Sequence, residues 1–323
     1  MTMLDISRRD ALIGLSGAAV AATLPLTKAA AAAPSLNFLV MGDWGREGVS
    51  HQRDVAGQMG RIAQSANARF VVAVGDNFYE NGVASVQDPQ WRSSYEDVYV
   101  APSLQKPWHA LLGNHDYKGT PQAQIDYTAH SSRWKMPARY YQLSGADYGM
   151  PAVDMFMLDT SPLVHSYRKN VESVIAKNVA SQDVAAQLAW LDRGLAASRA
   201  PWKLVFGHHT IYSGGSTHGN TPELIEQVKP ILERHGVQAY INGHDHDMQH
   251  IRVGAIDYIC TGAGSEVRPV SPIDGTLFSL SRSGFSHLAL SQDALALEFR
   301  DYTGAQVYAA SIARERHARA AAG

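Results

Sequence analysis

The chain has 323 residues, 45% of them hydrophobic and 18% charged, with a formal net charge of −2. Such a composition belongs to a folded globular protein with a large core and excludes disordered, collagenous and coiled-coil chains. No long run of Lys or Arg offers a footprint for nucleic acid. The single cysteine, Cys260, excludes an intrachain disulfide and a thiolate metal cluster, so any metal must be held by His, Asp, Asn or Tyr.

Residues 1–33 read as an address. Ser7-Arg8-Arg9-Asp10 precedes a weakly apolar stretch from Ala11 to Leu26, followed by Lys28 and an alanine run to Ala33. This is the layout of a twin-arginine export signal with a small-residue cleavage site, although Ala11 stands where a bulky apolar residue is usual. The stretch is too short, and too diluted by Gly, Ser and Thr, to serve as a spanning anchor. A periplasmic or secreted protein is expected, with no stable membrane association once the signal is removed.

From Leu36 onward, apolar runs of strand length alternate with amphipathic stretches. Strands are expected at Leu36 to Met41, Phe70 to Val74, Trp108 to Leu112, Val153 to Leu158, Lys203 to Phe206, Val237 to Ile241 and Ala255 to Cys260. Between them, Gln52 to Ala66, Pro121 to His130, Gln182 to Ala197 and Pro222 to His235 read as helices. Thr221 is the expected N-cap of the last of these, and Pro230 should kink it. After Gly284 the pattern changes to short alternating strands, Phe285 to Leu290, Ala294 to Arg300 and Gln306 to Ala310, and the Arg/Ala-rich tail from Ala313 is expected to fray. No linker or repeat interrupts the mature chain, so one domain over 34–312 is expected: an α/β fold of two mixed β-sheets packed as a sandwich and flanked by α-helices.

Strand after strand ends in Gly and then a potential ligand: Gly42-Asp43-Trp44-Gly45, Gly75-Asp76-Asn77-Phe78-Tyr79, Gly113-Asn114-His115-Asp116, Gly207-His208-His209 and Gly243-His244-Asp245-His246. A Gly-Asp after a strand is by itself more often a turn, and His-x-His alone is weak evidence of a metal. Five such ends in one chain are a different matter, because open α/β sheets build their sites beyond the carboxyl ends of the strands.

With these five motifs in this order, the chain resembles the calcineurin-like metallophosphoesterases, and within them the small, single-domain tartrate-resistant type of purple acid phosphatase. The resemblance runs from about Leu36 to Gly264 and implies the αββα metallophosphoesterase fold and a dinuclear centre. Asp43, Asp76, Tyr79 and His246 would hold Fe(III). Asp76, Asn114, His208 and His244 would hold a divalent ion (Fe, Zn or Mn), with Asp76 bridging. Most relatives carry Asp-x-His in the first motif; here the third position is Gly45, and Tyr79 stands where the purple enzymes place the replacing ligand.

The chemistry of that donor set is coherent. A phenolate is a hard anionic donor that favours a trivalent iron, while Asn114 offers a neutral carbonyl to the other ion. The resemblance further implies that His115 and His218, the latter in the Ser213 to Thr221 loop, bind phosphate or protonate the leaving group. The expected activity is hydrolysis of small phosphate monoesters by a metal-bound hydroxide, with an acidic to neutral optimum. A dimanganese or dizinc phosphodiesterase or nucleotidase is the alternative, and a non-catalytic phosphate sensor is disfavoured by the two extra histidines. His209 and Asp245 should point away from the metals, and Asp245 or Asn77 is a candidate to orient a ligand histidine.

Overall fold

The computed structural model describes residues 35–314. The strands in chain order are β1 (Leu36–Met41), β2 (Val71–Val74), β3 (Trp108–Leu111), β4 (Trp134–Lys135), β5 (Tyr141–Ser144), β6 (Val153–Met157) and β7 (Trp202–Phe206). They continue with β8 (Ala239–Asn242), β9 (Met248–Val253), β10 (Ile256–Thr261), β11 (Thr276–Leu280), β12 (Gly284–Leu290), β13 (Ala294–Asp301) and β14 (Gln306–Ala313). The helices are α1 (Gln52–Ser65), α2 (Pro121–Asp126), α3 (Val174–Ala180), α4 (Val184–Ala197), α5 (Pro222–Gln227) and α6 (Lys229–Arg234).

Two mixed seven-stranded sheets result, ordered β14-β13-β12-β1-β2-β3-β4 and β11-β9-β10-β8-β7-β6-β5. Strand alternation explains why each sheet is covered on both faces. Phe38 and Val40 of β1, with Val72 and Val74 of β2, meet Met155, Leu204, Phe206 and Ile241 of the other sheet in the central core. Their neighbours Leu39, Met41, Val71 and Ala73 face outward onto Val55, Met59 and Ala63 of α1 and an aromatic cluster around Trp44 and Trp108. On the far side, Val205 and Tyr240 pack against Leu191 and Leu195 of α4 and Leu224 and Leu232 of α5 and α6. Each buried Val, Leu, Ile, Phe or Met among them contributes about 1.5–3 kcal/mol. The layers are therefore helix, sheet, sheet, helix, as expected from the sequence.

Differences from the expected elements have local causes. The helix expected to reach His130 ends at Asp126 and passes into a tighter turn, Tyr127–Ala129. The helix expected from Pro222 to His235 divides at Val228, because Pro230 lacks an N–H and disrupts the ladder there. Thr221 precedes it with extended backbone, but its hydroxyl makes no cap bond. Strands β4, β5, β9 and β11 and helix α3 carried no clear apolar period. In β9 the polar Gln249 and His250 are buried and satisfied by Ser213 and Asp257, so burial does not follow hydrophobicity there. Strand β14 runs past the expected Ala310 to Ala313, paired with β13 through Ala294. The expected signal and most of the tail lie outside the described residues, among which no helix is long and apolar enough to cross a membrane.

Candidate metal centre

All seven residues expected to hold metal come together at one edge of the sandwich, and all seven are buried. They arrive there because parallel strands β1, β2 and β3 of one sheet, and β7 and β8 of the other, end facing a common crevice. The chain turns sharply as it leaves each strand. Asp43, Asp76 and His244 adopt left-handed backbone, with φ of 60°, 48° and 73°, a conformation that costs a non-glycine residue about 1–2 kcal/mol and collects at functional sites. Gly75 precedes one of them at φ 89°, where a Cβ would stand 2.6 Å from His208 Nδ1, so glycine alone lets the β2 turn and the His208 ring occupy adjoining space.

The donor atoms form two groups. Tyr79 Oη lies 3.0 Å from Asp43 Oδ1, 3.2 Å from Asp76 Oδ2 and 3.0 Å from His246 Nε2. His208 Nε2 lies 3.2 Å from Asn114 Oδ1, 3.2 Å from His244 Nδ1 and 3.4 Å from Asp76 Oδ1. Asp76 thus gives one carboxylate oxygen to each group. A phenol carries one proton and an imidazole nitrogen at most one, so neither centre can satisfy three neighbours by hydrogen bonding. The spacing instead suits atoms around one ion, because ligands bound at about 2.1 Å stand about 3 Å apart. The residues present fit two metal ions sharing Asp76, and Asp43, Asp76 and His208 by themselves form a convergent cluster.

The electrostatics point the same way. Burial pushes the Tyr79 phenol well up, and the Asp43 and Asp76 carboxylates push it further. Burial pulls His208 down, but the Asp76 carboxylate outweighs it and leaves that imidazole at about 9. Against its own burial, Asp76 is held well below the usual range by His208 and His115. Such a set takes up positive charge, as protons or as a cation. Anchors fix the orientation: His208 Nδ1–H donates to Val74 O at 2.9 Å, and the His244 amide donates to Asp43 Oδ2 at 2.9 Å.

His115 and His218 flank the cage. The His115 amide donates to Asp76 Oδ1 at 2.7 Å, and its Nδ1–H donates to the Glu80 carbonyl at 2.6 Å. The His218 ring stacks on His244 with centroids 4.0 Å apart and accepts from Arg268. Beside them opens a cleft of about 600 Å³, lined by Asn114, Lys118, Tyr167, His209, His218 and His244 among others.

Two supporting assignments are corrected. Asn77 orients no ligand histidine: its amide donates to Leu111 O, Asp116 and Gln124. Asp245 reaches the other way, accepting from the Ser213 hydroxyl and the Gly219 amide, and so ties down the loop that carries His218. His209 does point away from the donor groups, between Thr160 and Tyr167. Three contributors were given no role by the sequence, although Asp116 closes the third motif and Arg46 and Lys118 follow motifs. Asp116 gathers the amides of Gly113, Asn77 and Phe78. Arg46 lies 3.9 Å over the Tyr79 ring. Lys118 packs against His115.

Comparison with known proteins agrees with this geometry. Residues 36–248 match the family described as calcineurin-like phosphoesterase. Purple acid phosphatase 7 of Arabidopsis thaliana is 38% identical over 87% of this chain and 87% of its own. Tartrate-resistant acid phosphatase type 5 of Homo sapiens is 32% identical over 88% and 92%. Among solved structures, GAP50, "the anchor in the inner membrane complex of Plasmodium", superposes with a TM-score of 0.73 at 24% identity over 88% of this chain and 94% of that one, a likeness of fold alone. The chain belongs to the calcineurin-like phosphoesterases and, within them, to the purple acid phosphatases, which makes it a hydrolase of the acid phosphatase class acting by metal-dependent phosphoester hydrolysis.

Proposed function

We propose that the chain hydrolyses small phosphate monoesters at a mixed-valence centre, with Fe(III) held by Asp43, Asp76, Tyr79 and His246 and a divalent ion held by Asp76, Asn114, His208 and His244. The observation that carries this reading is the Tyr79 hydroxyl, which sits among Asp43, Asp76 and His246 at 3.0–3.2 Å. An oxygen-rich anionic group of that kind favours a trivalent ion, and the nitrogen-rich group around His208 favours a divalent one. Metals bound there supply Lewis acidity and a water acidified to near neutrality.

The remaining work falls to the chain itself. Asp76 holds the two donor groups in fixed relation, and burial of all seven donors excludes bulk water from behind the reacting phosphate. His115 commits its Nδ1–H to the Glu80 carbonyl and has Lys118 Nζ 3.3 Å from Nε2, so it binds a phosphate oxygen when Nε2 is also protonated. His218, stacked at the mouth of the cleft with Nε2 accepting from Arg268, delivers a proton to the leaving oxygen from its other ring nitrogen. Both imidazoles are held below their usual range, His115 by burial and Lys118, His218 by enclosure and Arg268. The proton donor is therefore loaded on the acid side of neutrality.

The test is the visible spectrum of the mature protein with metal analysis and hydrolysis of p-nitrophenyl phosphate. About two metals per chain and a phenolate-to-iron band that disappears in Tyr79→Phe are expected. A colourless, active protein holding manganese or zinc would overturn the iron assignment in favour of a generic phosphodiesterase or nucleotidase.

We further infer export of the folded, metal-loaded protein, from Arg8-Arg9 ahead of the weakly apolar segment. Replacing both arginines by lysine should leave the precursor in the cytoplasm. Unchanged export of that variant would refute the twin-arginine route.

A further inference from the structure

The Tyr79 ring carries a cation on its face. Arg46 Cζ lies 3.9 Å from the ring centroid, within the range at which a guanidinium is drawn to an aromatic face. The turn after β1 builds this stack. A Cβ on Gly45 would stand 1.9 Å from Asn77 O, so only glycine lets that turn press against the Tyr79 loop, and the Gly45 carbonyl accepts from the Tyr79 amide at 2.9 Å. The next residue, Arg46, is thereby carried directly over the ring. Its amide donates to Oε1 of the buried Gln52 at 3.1 Å, which also takes the Gly48 amide at 2.7 Å.

Two carboxylates complete the arrangement. Arg46 Nη1 meets Glu80 at 2.6 Å, and Nη2 meets Glu266 at 3.2 Å. Both nitrogens lie on the edge of the guanidinium, so the ion pairs hold it by that edge and leave its face to the ring. The Arg46 side chain is 12% exposed, against 63% for Glu80 and 48% for Glu266. Water screens the carboxylates far more than the guanidinium, and the positive charge is the one that the ring feels.

We propose that Arg46 is a positioning residue that acts through Tyr79: it fixes the ring against the cage and stabilises the electron density of the phenolate, so that Tyr79 gives less of it to the ferric ion. The proposal rests on the Fe(III) reading of the donor group around Tyr79. The negative charge of a phenolate spreads from its oxygen into its ring, and a cation over the ring holds it there. A weaker donor leaves the ion the stronger Lewis acid. The same cation raises the energy needed to move an electron from the ring to the iron, which is the transition that colours such a centre.

The experiment records the visible spectrum, the metal content and the Fe(III)/Fe(II) reduction potential of the metal-loaded wild type, Arg46→Gln, Arg46→Lys and Glu266→Gln. Arg46→Gln should keep two metals, move the phenolate-to-iron band to longer wavelength by on the order of 10 nm, and lower the potential. Arg46→Lys, which keeps the charge and loses the planar stack, should fall between it and the wild type. Glu266→Gln removes a half-exposed carboxylate and leaves the guanidinium over the ring, so its band should move to shorter wavelength, by less. An Arg46→Gln protein with two metals and the wild-type band would overturn the proposal. So would shifts of Arg46→Gln and Glu266→Gln in the same direction, which mark a general disturbance of the site. If Arg46→Gln holds no iron, unshifted bands in Arg46→Lys and Glu266→Gln overturn it equally. A colourless wild type with two metals bound would instead sink the iron reading beneath it.

Discussion

Asp76→Ala should abolish activity, lowering kcat by about 10⁴-fold or more, and should reduce bound metal from about two per chain to one or none. The size of the effect follows from position: Asp76 alone contributes an oxygen to both donor groups, Oδ2 at 3.2 Å from Tyr79 and Oδ1 at 3.4 Å from His208. Two-metal chemistry is worth several kcal/mol of transition-state stabilisation, and each 1.36 kcal/mol is about tenfold in rate. Asn114→Ala, which touches only the His208 group, should be milder and lose the divalent ion first. Metal analysis beside kinetics separates the two. An Asp76→Ala protein that kept both metals would show that its carboxylate does not bridge.

His218→Ala should lower kcat by about 10²-fold for alkyl phosphates and much less for p-nitrophenyl phosphate, whose leaving group departs without a proton. The pH profile checks the same residue. Enclosure beside His244 lowers His218 from the ordinary imidazole value of 6.5, and Arg268 lowers it further, while Asp245 opposes them. The protonated donor is present below that lowered pKa and is lost as pH rises through it. The wild-type profile should therefore fall on its alkaline side within the acid range, and His218→Ala should flatten that limb. If the limb survives in the variant, the proton comes from His115, which is lowered in the same direction.

Much of the site was legible because its ligands follow a rule of position. Parallel strands buried on both faces show as continuous apolar runs, and each run that ends in glycine and a polar residue marks a place where the backbone turns into the crevice. That logic marked the strand ends that carry Asp43, Asp76, Asn114, His208 and His244, while their roles as ligands, and that of Tyr79, came from the resemblance to the purple acid phosphatases. The supporting groups did not obey such a rule. Asp116 and Arg46 act on residues that the fold brings beside them, and Asn77 and Asp245 turned out to serve the backbone and a loop instead of a ligand ring.

What the sequence determined by itself was the inventory and its order: layered α/β architecture, five strand-end motifs, and a candidate donor set that includes a phenol and no thiolate. Local chain stiffness, apolar periodicity and ligand chemistry are properties of short segments, so short segments disclose them. The tertiary structure alone decided which sheet each strand joined, that the polar strand β9 is buried, and that Arg268 comes beside His218 from 50 positions away in sequence. Those outcomes depend on pairing between distant segments and on how buried polar groups find partners, and no window of sequence contains either.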